Sequence, residues 1–230
     1  MLECATHSGD AAAVLELAHK YSFVHAALGI HPESLGEEDA ATVATYHGDW
    51  RAELAAMRPL FDDPAVIAVG EIGLDHHWPL PAQEQYDLFE AQLQLAQELD
   101  LPVIVHEREA HGDAMDILRA HPRATGVFHC FSGSPEMALW LVERGWYIGF
   151  TGVVTFKNAR KAVETAKSIP LNRILIETDC PYMSPEPNRG KRNSSLNLPY
   201  VAQAIAELKG ITAEEVIDVT RQNAEKLLGI

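Results

Sequence analysis

The chain is 230 residues long, 47% hydrophobic and 22% charged, a composition that suits a globular protein built as one barrel-sized or doubly wound domain. Its net charge of −15 argues against a module that grips nucleic acid over a broad face, because phosphate neutralisation needs basic side chains. No apolar run approaches the roughly 18 residues that span a bilayer, the opening MLECATHSGD lacks the basic start and apolar core of a signal peptide, and the three separated cysteines (Cys4, Cys130, Cys180) do not suggest a disulfide framework, so a cytoplasmic setting is expected.

Short β-rich apolar runs alternate with longer amphipathic stretches along the chain. Strands are expected at 2–6, 23–30, 65–73, 102–106, 126–130, 146–150 and 173–179. Apolar spacings of three and four predict helices at about 9–20, 37–57, 81–99, 111–121, 134–145 and 158–169, then at about 198–209 and 212–228. Pro81 with Glu84, and Ser134-Pro135-Glu136, are helix-opening signals, while Gly145 and Gly210 are helix-closing ones. Residues 184–199 read as a long irregular loop, and no low-complexity linker divides the chain, so 1–230 is expected to be a single domain. The alternation predicts a parallel sheet, as a barrel or an open doubly wound order. Seven strands fall short of the eight of a (β/α) barrel, which would put a first βα unit before Met1.

The polar residues of interest close these strands. His31 follows the second run, Glu71 and Asp75 end the third, His106 ends the fourth, His129 lies near the end of the fifth, and Asp179 ends the last. That edge is where α/β proteins build active sites. An ionisable group completing an apolar run is costly unless it is paired or ligating. Two histidines, a glutamate and an aspartate suit Zn, Mn or Co, or Mg with more water. Glu71 is suited to bridging two ions that would activate water and clamp phosphate oxygens.

Other residues have weaker claims. His31, before Pro32, is balanced between assisting the site and capping a strand. Arg108 suits either a substrate phosphate or a surface ion pair. His76 and His77 read as a solvated loop, and His7, His19, His25, His47, His111 and His121 as surface or core residues. Strand alternation turns Cys130 and Cys180 away from their neighbours as packing residues. The same alternation points Glu177 the same way as Asp179, as a supporting partner or interior residue. His106-Glu107 with His111 is one residue too long for a zincin helix, and neither a phosphate-cradling glycine loop nor a G-x-S-x-G elbow occurs.

GIHP (29–32), GEIGLD (70–75), PVIVHER (102–108), FHCFSG (128–133), YIGFTG (147–152), ETDCPYMSP (177–185), RGKRN (189–193) and the closing NAEKLLGI together resemble the TatD-related deoxyribonucleases over essentially the whole chain. The resemblance implies a (β/α)8 TIM-type barrel of the metal-dependent hydrolase kind and cleavage of DNA phosphodiesters by metal-activated water, often as a 3′–5′ exonuclease. It implies Glu71 as the carboxylate bridging one or two divalent ions (Zn, Mn, Mg or Co) and His106 and His129 as ligands. Asp179 would be a further ligand or the residue that activates water, with His31 and Arg108 on the substrate side. DNA would be a substrate rather than a broadly gripped partner, and no membrane is involved. Members usually open with a His-x-His strand, which this sequence lacks. The expectation is therefore an N-terminally truncated barrel. The alternatives are a barrel hydrolase of another small ester, amide or phosphoester, and a catalytically impaired barrel.

Overall fold

The computed structural model describes residues 1–230, which divide into two compact units, Met1–Thr125 and Gly126–Ile230. The first carries β1 (Leu2–Cys4), α1 (Ser8–Lys20), β2 (His25–Leu28), α2 (Ala41–Ala44), α3 (Trp50–Met57), β3 (Val66–Asp75), α4 (Ala82–Leu99), β4 (Val103–Arg108) and α5 (His111–Ala120). Its four strands run parallel in the order β1-β2-β3-β4. The second carries β5 (Gly126–Phe128), α6 (Pro135–Glu143), β6 (Tyr147–Phe150), α7 (Arg160–Ser168), β7 (Ile174–Ile176), α8 (Leu198–Lys209) and α9 (Ala213–Leu228). Its strands are parallel in the order β5-β6-β7. All seven expected strands are present.

The strands are apolar because helices cover them. Ala26, Ala27, Leu28, Ala68, Val69, Ile72, Val103 and Val105 are fully buried in the first unit, as are Leu88, Phe89 and Leu93 of α4. In the second unit Phe128, Ile148, Phe150 and Ile174 are buried with Leu141, Val201 and Ile205. No helix is long and apolar enough to cross a membrane.

Two expectations are corrected. The helix expected over 37–57 is two helices, because His47 (φ 53°) and Gly48 (φ 85°) are left-handed, and Asp49 then starts α3 by accepting from the backbone N–H groups of Arg51 and Ala52, both at 3.1 Å. The last strand stops at Ile176 rather than Asp179, which itself has φ 53°. Strand alternation therefore does not orient Asp179. It equally fails at Cys130 (φ 42°), since β5 ends at Phe128.

Candidate metal centre

The third strand is interrupted where its chemistry sits. Its pairing with β4 runs Gly70↔Ile104 and then Ile72↔Val105, so Glu71 is the extra residue of a bulge, and the Gly70–Glu71 peptide is cis. A bulge re-aims one side chain without ending the strand. Two residues on, Gly73 (φ 145°) lies opposite His106. A Cβ there would stand 1.9 Å from the His106 carbonyl oxygen, so only glycine lets β3 and β4 close at this point.

The bulge brings Glu71 to two imidazoles. Its Oε1 lies 3.0 Å from His106 Nδ1 and 3.3 Å from His31 Nε2, and the three ligand atoms are all within 4.8 Å of one another. All three side chains are 11–17% exposed, open enough to admit an ion yet shielded from bulk water. His31 caps the 3₁₀ turn Pro32–Leu35, its Nδ1 accepting from Glu33 N–H at 3.2 Å. That bond puts the proton of the neutral ring on Nε2, facing Glu71. His31 thus caps this turn and faces Glu71 at once.

His106 is held from behind. Its Nε2 is 2.9 Å from Asp75 Oδ2, and Asp75 is fully buried. Burial pushes the Asp75 carboxyl up, but the His106 hydrogen bond and charge and the backbone N–H groups of His77 and Trp78 outweigh it and hold it at about 2. An ionised Asp75 only accepts hydrogen bonds. His106 Nε2 therefore donates to it, leaving Nδ1 as the ring nitrogen that faces Glu71. This carboxylate–histidine pairing orients metal-binding imidazoles. Asp75 was visible in sequence only as a strand-end acid, and its bond to His106 was not anticipated.

Helix α4 fixes the two strand ends that carry these groups. Gln85 Oε1 accepts from Asp75 N–H at 2.7 Å, and its Nε2 donates to Asp75 O at 3.0 Å. Gln92, two turns later, does the same for Ile30, at 2.7 and 3.0 Å. Both glutamines are buried, and nothing in the sequence around them singles them out.

The second unit holds the other expected residues. His129 Nδ1 is 3.3 Å from Glu177 Oε2, and Cys130 N–H donates to Glu177 Oε1 at 2.6 Å. Glu177 thus orients His129, making Nε2 its lone-pair nitrogen. Gly149 makes room, since a Cβ there would meet Glu177 Oε1 at 2.2 Å. Burial pushes the Cys130 thiol up to about 11, so it stays protonated at neutral pH. Asp179 begins the irregular segment before α8, and Asn193 holds that segment closed. Its Nδ2 donates to Thr178 O at 2.8 Å, its backbone N–H to Pro181 O at 2.9 Å, and its Oδ1 accepts from Asn197 Nδ2 at 2.8 Å.

Arg108 is exposed, its guanidinium 5.9 Å from the centre of the Trp78 ring. His76 and His77 face Asp113 and Glu109, at 3.6 and 2.9 Å. His111, read as having no context, pairs with buried Glu107.

The model of the family described as TatD related DNase matches residues 1–229. A Bacillus subtilis protein named as the uncharacterized metal-dependent hydrolase YabD is 42% identical over 222 residues, covering 94% of this chain and 82% of its own length. A Citrobacter rodentium protein named 3′-5′ ssDNA/RNA exonuclease TatD is 37% identical over 224 residues, covering 93% and 80%. The crystal structure of YJJV, a TatD homologue from Escherichia coli K12, superposes with a TM-score of 0.88 at 32% identity, covering all of this chain and 86% of that one. The fold class is accordingly the α/β, TIM-type barrel class of metal-dependent hydrolases expected from sequence. The expected loss of a first βα unit finds no support in a family match that runs from residue 1.

Proposed function

Because the chain belongs to the TatD-related DNase family of metal-dependent hydrolases, we propose that it hydrolyses phosphodiester bonds of DNA, with Glu71 and His106 as metal ligands of the first unit and His129 and Asp179 as metal ligands of the second. The observation that carries this reading is the Glu71 bulge, which sets one carboxylate oxygen against two imidazoles. Glu71 supplies a carboxylate oxygen and His106 an imidazole nitrogen, a donor pair that fits Zn, Mn or Co, or Mg with more water. Divalent ions bound there would polarise a phosphate oxygen and make a water acidic enough to attack phosphorus at neutral pH.

The chain's own groups have separable tasks. Glu71 supplies the negative charge that keeps cations in place. Asp75 and Glu177 orient His106 and His129 by each holding one ring nitrogen, which leaves the other for an ion. His31 presents an N–H toward Glu71, where it can donate to a phosphate oxygen. Asp179 is the candidate to take the proton of the attacking water. Arg108 is the candidate for a phosphate on the substrate side.

The test is nucleotide release from single-stranded and duplex DNA with Mn, Mg, Zn or Co added, beside a panel of amide, lactone and small phosphoester substrates. Metal-dependent release of nucleotides that stops on chelation is expected. Turnover of a panel compound with DNA left intact would replace the nuclease reading with another barrel hydrolase. Within this scheme, Asp75→Asn is expected to lower metal affinity about 10- to 100-fold while the chain stays folded. A metal titration followed by calorimetry checks this, and an unchanged affinity would remove Asp75 from the scheme.

A further inference from the structure

Trp78 is unusual among the four tryptophans. Trp50 and Trp146 are buried, whereas Trp78 is 48% exposed just beyond the end of β3. Single exposed apolar residues are ordinary on protein surfaces, but this one is held by its backbone, its indole nitrogen and a neighbouring ring. Its backbone N–H bonds to Asp75, the carboxylate that also binds His106. Its indole Nε1 donates to Glu33 Oε1 at 3.1 Å, and His77 packs edge-on against the ring at 4.9 Å. Glu33 is itself close to the centre, since its carboxylate, Asp75 and His106 have ligand atoms within 4.8 Å of one another. The Arg108 guanidinium lies 5.9 Å from the ring centre and, in a chain of net charge −15, forms no ion pair with a carboxylate.

We propose that Trp78 is a stacking platform for a base of single-stranded nucleic acid, with Arg108 receiving the adjoining phosphate. The proposal rests on the nuclease reading and deepens it by naming where the strand is held. An immobilised indole with a cation over it presents what an unpaired nucleotide offers to bind, a flat π face and an anionic link. Duplex DNA keeps its bases stacked on one another and cannot use this face without unpairing. Stacking also tolerates every base, so the platform selects single strands without reading sequence. Glu33 and Asp75 are positioning residues here: one fixes the edge of the ring, the other its backbone.

The experiment compares two strands of equal length in Mn²⁺, an eight-residue oligothymidylate and an oligomer of abasic residues with the same phosphates. Trp78→Ala is expected to raise KM for the thymidylate strand about 5- to 100-fold and to change KM for the abasic strand less than about twofold. Arg108→Ala is expected to weaken both strands alike. Trp78→Phe and Trp78→Leu both lose the indole N–H, yet only phenylalanine keeps a π face, so phenylalanine should retain most of the affinity and leucine should not. Equal losses on both strands, or equal behaviour of phenylalanine and leucine, would overturn the platform while leaving the nuclease reading in place. Wild-type protein that cleaves neither strand with any of the four metals would overturn the nuclease reading and this proposal with it.

Discussion

Replacing Glu71 by alanine is expected to strip the protein of bound divalent metal and to lower hydrolysis by about a thousandfold or more, the scale of several kcal/mol of lost charge stabilisation. Glu71 Oε1 is the shared partner of His106 Nδ1 at 3.0 Å and His31 Nε2 at 3.3 Å. Without it, the cluster of this unit keeps imidazole donors and no carboxylate between them. Asp75 cannot substitute, because its carboxylate is occupied by His106 Nε2 and the turn that follows it. Glu71→Gln is the sharper variant, since it preserves size and removes the charge. Elemental analysis of wild type and both variants, paired with a nuclease assay, checks the expectation. Metal stoichiometry and turnover within tenfold of wild type would end Glu71's role as the central ligand.

The second large effect is on stability. Gln92 is fully buried in α4 and satisfies both backbone groups of Ile30, the N–H at 2.7 Å and the carbonyl at 3.0 Å. Gln92→Leu preserves most of the volume and leaves both groups unpaired in a dry setting. At about 1–3 kcal/mol for each orphaned group, less what the apolar side chain returns, the expected loss is about 3 kcal/mol. Native stabilities are only about 5–15 kcal/mol, so this is a large fraction, and it corresponds to a fall in Tm of about 6–12 °C. Urea unfolding of wild type and variant measures it. A loss below about 1 kcal/mol would mean that water or a backbone shift replaces the clamp. Since Ile30 precedes His31 in the chain, a metal titration of the same variant would show whether the strand end must be fixed for the site to form.

How far the sequence reveals this molecule depends on the range of the forces involved. All seven strands and most helices follow from local periodicity, because a residue's face is set by neighbours two to four positions away. The expected helix across 37–57 fails for an equally local reason, the left-handed pair His47 and Gly48 ahead of the Asp49 cap. Glu71 and His106 were legible as strand-end ionisable groups, and the structure brings them together in one unit with His31. It places His129 in the second unit against Glu177, which the sequence left between a supporting partner and an interior residue. What stayed hidden are contacts between residues far apart in the chain. Asp75 meets His106 across 31 positions and Gln92 meets Ile30 across 62. Nothing in the spacing around a buried glutamine distinguishes it from one on a helix surface. Trp78 likewise gains its meaning only from Glu33 and Arg108.

The closure made by Asn193 also bears on how this chain can change over evolutionary time. By tying itself to Thr178 and Pro181, Asn193 brings the ends of the segment after Asp179 together and leaves its outer turn, around Gly190 (φ 83°), standing clear of them. Insertions or deletions at Arg189–Lys191 would lengthen or trim an exposed turn whose base is already sealed, and loop closure grows only slowly more costly with length. The same changes between Asp179 and Pro181 would break the seal and displace the aspartate. Length variation in descendants of this sequence should therefore accumulate at the turn and spare its base, which leaves the chain a place to acquire new substrate contacts without disturbing Asp179.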